Sequence, residues 1–426
     1  GGQVDRSPLY LAAVASSAVP GLDPVTVEAL PSLPYDRFDV AFVRDTEHRR
    51  WVVRAPRTAT AGAELESAIA ITALLARRVG FSVPGPKGFF DLGDSGRASV
   101  YPFLPGDPID LGEVPDRRGL AGDIGRVMAT VHNLDVALAD EAGLPSYDAD
   151  ACRTRRLADL DRAATTGRVP TSLLTRWEQA LEDVTLWRFA PALVHGALSG
   201  DALLVTFDDD DAASGRVRGV VGWEHAQVSD PAEDFAAVVD QASPEVVDRI
   251  MEAYAHARLE RPDPHLLVRA RLLSELDLLH QLTEALARGD DAAVEGLSAR
   301  LRRLDEVVHA LEESSDDYQR LSLTPRSVRS RPAPPPAVDE DEDDDELPGI
   351  TAPGHQGVEA DGPMAAGSVG ETVALDEVAD DGDANREDEV DDVGGDPRSE
   401  ATDDATPAHR VGARAETVEI RLDPQH

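Results

Sequence analysis

The chain has 426 residues, with 41 Lys and Arg against 81 Asp and Glu and a formal net charge of −40. That balance excludes a binder of phosphate backbones, so no nucleic-acid partner is expected; the single cysteine, Cys152, excludes an intramolecular disulfide and a Cys-rich metal site. No apolar run approaches the ~18 residues of a membrane span and no signal-peptide pattern opens the chain, so no membrane partner and a cytoplasmic location are expected.

Residues Pro8–Val19 carry helical spacing and stop at Pro20-Gly21. From Phe38 the pattern turns to β. FDVAFVRD and RRWVVRAP alternate apolar and polar residues around polar Asp45–His48, which predicts a hairpin. Ala63–Val79 returns to helical spacing through Leu65, Ile69, Leu75 and Val79, and Pro84-Gly85-Pro86 ends it. Two further strands are expected near Lys87–Leu92 and Arg97–Phe103, and Leu104-Pro105-Gly106 reads as a hinge.

Beyond the hinge the pattern is mostly helical. Leu120, Ile124, Val127, Met128 and Val131 make one stripe. Leu174, Trp177, Leu181 and Val184 make another, with Thr171 or Ser172 as its N-cap. One β-rich island, Leu193–Phe235, reads as strand, turn, strand and an Asp-Pro loop that opens a helix. Ser243-Pro244 and Asp263-Pro264 each set an N-cap residue before a proline at the first helical position. Leu266–Ala287 and Asp290–Leu311 complete the helices, and Leu311–Ser322 fades out.

Arg331 begins a Pro-rich linker. From Pro332 to His426 there are 28 Asp and Glu, 5 Arg, and no Phe, Trp or Tyr. Such a segment buries too little apolar surface to offset chain entropy, which predicts a disordered acidic tail. Its DEDEDDDE run, Asp339–Glu346, reads as a solvated spacer or as a contact for a basic protein partner. Glu416–Leu422, ETVEIRL, alternates apolar or β-branched with charged residues and predicts a short strand able to dock on an exposed sheet edge. The expected organisation is therefore residues 1–104, 105–322 and a tail over 323–426.

The ordered set WVVRAPR, VYPFLPG, a helix ending Val131-His132, HGALSGDALLV and VVGWEHAQVSDPAEDFA resembles the aminoglycoside and macrolide phosphotransferases, relatives of the protein kinases. The resemblance covers about residues 8 to 315. It implies an α+β, two-lobed protein-kinase-like fold, with a small β-rich N-lobe and a larger helical C-lobe, and ATP or GTP held between the lobes. It also implies that a carboxylate orients the acceptor hydroxyl while oxygen ligands hold Mg²⁺ on the phosphates. The family's base, the Asp after His-Gly, falls at Ala197. Its metal-binding Asn falls at Ala202, and its metal-binding Asp before Trp falls at Gly222. A methyl group or a hydrogen neither accepts a proton nor binds a hard cation, so no catalytic position is intact and Mg²⁺ binding is put in doubt.

The framework of the same stretch matches: His195, Gly196, Trp223, Asp230 and Asp234. His195 is expected to brace the catalytic loop, Trp223 and Phe235 to be core, and the two aspartates to cap and anchor the following helix. Arg54 matches the phosphate-binding cation of the third strand. Its usual Glu partner falls at Ala68, with Glu64 or Glu66 serving if the register slips. Asp201 and Glu224 are the candidates to rescue the lost ligands, and Asp208–Asp211 reads as a solvated hairpin loop. His132, His256, His265 and His280 form no metal-ligand spacing. Three functions follow: a catalytically impaired pseudokinase holding a nucleotide or small molecule between its lobes; a divergent ATP- or GTP-dependent small-molecule kinase acting on a hydroxyl; or a scaffold whose acidic tail recruits protein partners.

Overall fold

Ser7 starts the first helix, α1 (Pro8–Ala18): its hydroxyl accepts the Tyr10 amide, and Pro8 fills a position whose N–H would go unpaired. The computed structural model describes residues 6–31, 36–117, 119–208, 214–323 and 416–419. The chain forms two units, residues 1–321 with 405–426, and residues 322–404. The second unit, the expected acidic tail and the centre of the Asp208–Asp211 loop lie outside the described residues, apart from the end of the last helix and residues 416–419.

After α1 come β1 (Pro24–Ala29), β2 (Phe38–Asp45), β3 (Arg50–Pro56), α2 (Ala59–Leu75), β4 (Gly88–Asp91) and β5 (Arg97–Pro102). Strand alternation sorts the side chains. Ala41 and Val43 of β2, Trp51, Val53 and Ala55 of β3, and Ala98 and Val100 of β5 are buried with Leu11, Val14 and Ala15 of α1 in one apolar cluster. The other face carries Arg54 and Phe38, with the Arg54 guanidinium 4.5 Å from the Phe38 ring centre. Helix α2 begins four residues before its first expected residue, because the Thr58 hydroxyl accepts the Ala61 amide. It ends at Leu75, so Val79 lies beyond it.

The second half holds α3 (Leu120–His132), α4 (Ala137–Ala142), α5 (Ala149–Ala164), α6 (Thr171–Glu182), β6 (Ala192–Val194), β7 (Leu203–Thr206), β8 (Arg216–Val220), β9 (Gln227–Ser229), α7 (Ala236–Gln241), α8 (Pro244–Ala257), α9 (Leu266–Arg288) and α10 (Asp291–Leu323); β10 (Glu416–Glu419) follows. The N-terminal sheet runs β10-β1-β2-β3-β5-β4, while β6 pairs with β9 and β7 with β8. All these pairings are antiparallel. The β-rich half and the helical half are those of a two-lobed kinase-like α+β fold.

Four expectations change. The cap of α6 is Pro170, which has no side chain to donate or accept, and Val184 falls outside the helix, 57% exposed. Helix α9 starts at Leu266 with His265 at its cap; Asp263 accepts the His265 amide at 3.0 Å and pairs with Arg269 at 2.8 and 2.9 Å. Helix α10 runs unbroken to Leu323 instead of fading after Leu311. β1 was not expected, although Val25, Val27 and Ala29 alternate with Thr26 and Glu28. Among the described residues no helix is long and apolar enough to cross a membrane.

Candidate functional site

β6 delivers the chain to His195 and Gly196. Gly196 turns at φ +80, and a Cβ there would lie 2.1 Å from the His225 carbonyl oxygen, so only glycine lets the two loops touch. Asp234 holds this turn from beneath. Its carboxylate accepts the His195 amide at 2.9 Å, the Gly196 amide at 2.8 Å and His132 Nε2 at 3.0 Å. An ionised carboxylate only accepts, so His132 Nε2 carries the proton. Burial keeps the Tyr254 hydroxyl protonated, well above its usual range, and that hydroxyl hydrogen-bonds His132 Nδ1 at 2.9 Å. Burial alone would raise the Asp234 carboxyl, but the His132 hydrogen bond and the nearby imidazoles outweigh it and hold the group below its ordinary value.

This corrects one expectation: Asp230 caps the following turn through the Ala232 amide at 2.9 Å, but Asp234 anchors the preceding loop. Asp230 also meets Arg269 through both oxygens, at 2.6 and 2.9 Å. Arg269 is fully buried and is shared with Asp263 and the Leu186 carbonyl. Sequence reasoning missed it; an arginine inside the apolar LLVRARLL run was the available signal. His195 Nε2 donates to the Val221 carbonyl at 2.8 Å and ties the loop to the end of β8, and Trp223 and Phe235 are buried.

Ala197, Ala202 and Gly222, the positions the resemblance aligns with the base and metal ligands, carry no side-chain oxygen. Ala197 is exposed on the wall of a cavity of about 520 Å³. The catalytic loop, residues 233–241, α9 and Arg300 surround it, with Arg156, Glu233, Asp240 and Asp277 among its polar lining. Ala202 is 6% exposed in a short 3-10 turn, Gly200–Ala202, where Asp201 is exposed. Gly222 follows the end of β8 in a left-handed conformation, φ +85 and ψ 38, and caps the 3-10 turn Trp223–His225. Among the described residues no group of three His, Cys, Asp or Glu could hold a metal. Neither Ala202 nor Gly222 offers Mg²⁺ a side-chain oxygen.

The left-handed turn at Gly222 redirects Glu224. The expected continuation of β8 would have put Glu224 on the same strand face as Gly222; instead the strand ends at Val220 and Glu224 bonds Arg54 at 2.6 Å. These side chains are 18% and 9% exposed. Ala68 of α2 lines the same small cavity, while Glu64 pairs with Arg37 and Glu66 with Arg97 at 2.7 Å, so neither helix glutamate reaches Arg54. The remaining space beside Arg54, Tyr101 and Glu224 is about 20 Å³, room for a single water. Arg37, just before β2, also lies 3.5 Å from His225 Nε2. The Arg54 guanidinium is thus paired from within the chain.

A model of the phosphotransferase enzyme family matches residues 37–272. An uncharacterised protein of Bacillus subtilis (strain 168), YcbJ, is 26% identical over 233 residues, 52% of this chain and 72% of that protein. Among solved structures, macrolide 2'-phosphotransferase MphH from Brachybacterium faecium, as apoenzyme, is 26% identical with a TM-score of 0.57, covering 69% of this chain and 97% of that one. The GDP complex of wild-type aminoglycoside 2'-phosphotransferase-IIIa is 20% identical with a TM-score of 0.60, covering 71% and 99%, a likeness of fold.

Proposed function

Because the chain belongs to the phosphotransferase enzyme family, we propose that it is a member whose transfer chemistry is disabled and which works by binding. The observation that carries this reading is the Arg54–Glu224 ion pair, 2.6 Å long, in a site where Ala197, Ala202 and Gly222 replace the base and both metal ligands. A general base is worth roughly 10²–10⁴-fold and the metal clamp adds to that, so their joint absence leaves little transfer. Glu224, the stronger rescue candidate, is engaged as a counter-ion, and Asp201 is exposed beside Ala202. The ligand we assign is a polar small molecule in the cavity beside Ala197, where Arg156 and Arg300 stand among Glu233, Asp240 and Asp277.

The test is turnover of γ-labelled ATP and GTP by the full chain, with Mg²⁺, against Ala197→Asp/Ala202→Asn/Gly222→Asp. The expected result is no Mg²⁺-dependent turnover by the wild type. Wild-type turnover matching the triple variant, or turnover abolished by Asp201→Asn or Glu224→Gln, would overturn the proposal, since either shows working ligands.

A further inference from the structure

The N-terminal sheet has two edges. At one, the end of α1 lies against β4: a Cβ on Gly88 would be 2.0 Å from the Ala18 carbonyl oxygen. At the other, β1 is paired along its outer side by β10. The register sets Thr26 opposite Glu419, Val27 opposite Val418, Glu28 opposite Thr417 and Ala29 opposite Glu416. Val27 is fully buried beneath α1, so Val418 takes a register position beside the core. The same segment stands out in the sequence by its period-two alternation, within 95 residues that hold no Phe, Trp or Tyr. Sequence pattern and backbone pairing are separate observations, and both mark residues 416–419 as a strand made for an edge.

We propose that the outer edge of β1 is a strand-docking site, and that the chain's own residues 416–419 occupy it in cis as an exchangeable guard. An open edge is a template for foreign strands, and pairing it removes that hazard. The occupant an edge accepts is an extended segment with alternating β-branched residues, held by main-chain hydrogen bonds. Residues 324–415 connect α10 to β10. The closure cost of a long connection grows only with the logarithm of its length, so a tethered strand outcompetes a free one at micromolar concentration.

Two full-length proteins test this, the wild type and Thr417→Pro/Val418→Pro, whose prolines remove two backbone donors from the added strand. The readouts are amide exchange of residues 26–29 and binding of a labelled peptide with the sequence of residues 413–426. In the wild type, the β1 amides should be protected and the peptide should not bind. In the variant, exchange at β1 should rise at least about tenfold and the peptide should bind, while β3 amides stay protected and report an intact lobe. Equal β1 exchange in the two proteins would overturn the proposal. So would wild-type peptide binding as tight as the variant's. Protection at β1 that grows with protein concentration would assign the strand to a second copy and overturn occupation in cis.

Discussion

Glu224→Gln removes the charge that neutralises Arg54 and keeps the side chain's shape. Losing one partner of a fully buried pair costs about 3–5 kcal/mol, while an exposed pair is worth below about 1 kcal/mol. Arg54 and Glu224 are 18% and 9% exposed, and the glutamine oxygen can still accept one hydrogen bond, so the loss should be about 2 kcal/mol. At roughly 2–4 °C per kcal/mol, melting should fall by about 4–8 °C. The freed guanidinium then becomes an anion site. ADP or tripolyphosphate should stabilise the variant more than the wild type, by about 2.7 kcal/mol at a hundred times its Kd. Differential scanning fluorimetry with each ligand, with and without Mg²⁺, reads both effects. If ADP raises the wild-type melting temperature as much as the variant's, Glu224 does not compete with phosphate and the argument fails. A wild-type gain seen only with Mg²⁺ would refute the claim that the site lacks metal ligands.

Gly196→Ala forces a side chain into the left-handed region and onto the His225 carbonyl, 2.1 Å away; urea denaturation should show a loss of about 3 kcal/mol. Arg269→Ala leaves Asp230 and Asp263 without their shared cation and should cost about 3–5 kcal/mol in the same assay. Asp234 titrates below its ordinary value of 3.8 when folded. The folded state therefore binds fewer protons than the unfolded one, and its stabilising contribution is complete above about pH 4 and lost as pH falls through the folded value. Denaturation midpoints of the wild type and Asp234→Asn, followed from about pH 6 to pH 3, should converge on acidification.

What the sequence disclosed and what it hid divide along physical lines. Alternation in FDVAFVRD and RRWVVRAP exposed the β2–β3 hairpin, because one face of each strand is buried beneath α1. His195, Gly196, Trp223 and Asp230 were picked out only because they match the motif of the resembled family. The partner of Arg54 was not, because one left-handed residue at Gly222 decides where Glu224 points. Asp234 was found, but its target was misread: its amide partners lie 38 and 39 residues away, a separation no spacing rule reaches. Ser243 caps α8 as expected, whereas Asp263 accepts the His265 amide one residue ahead of α9 while a buried arginine meets both its oxygens. Local chemistry was readable until a tertiary partner outbid it.

The backbone at Gly222 has a consequence for the chain's mutational neighbourhood. Its φ of +85 is one that Asp tolerates better than most side chains, and a Cβ there would meet nothing closer than 3.8 Å. Every glycine codon becomes an acidic one by a single second-position base change, and the same holds for every alanine codon, Ala197 included. Acidic residues at Ala197 and Gly222 are thus each a point mutation away, and the backbone at Gly222 already suits one. A genetic selection for phosphoryl transfer could sample both without rebuilding the fold.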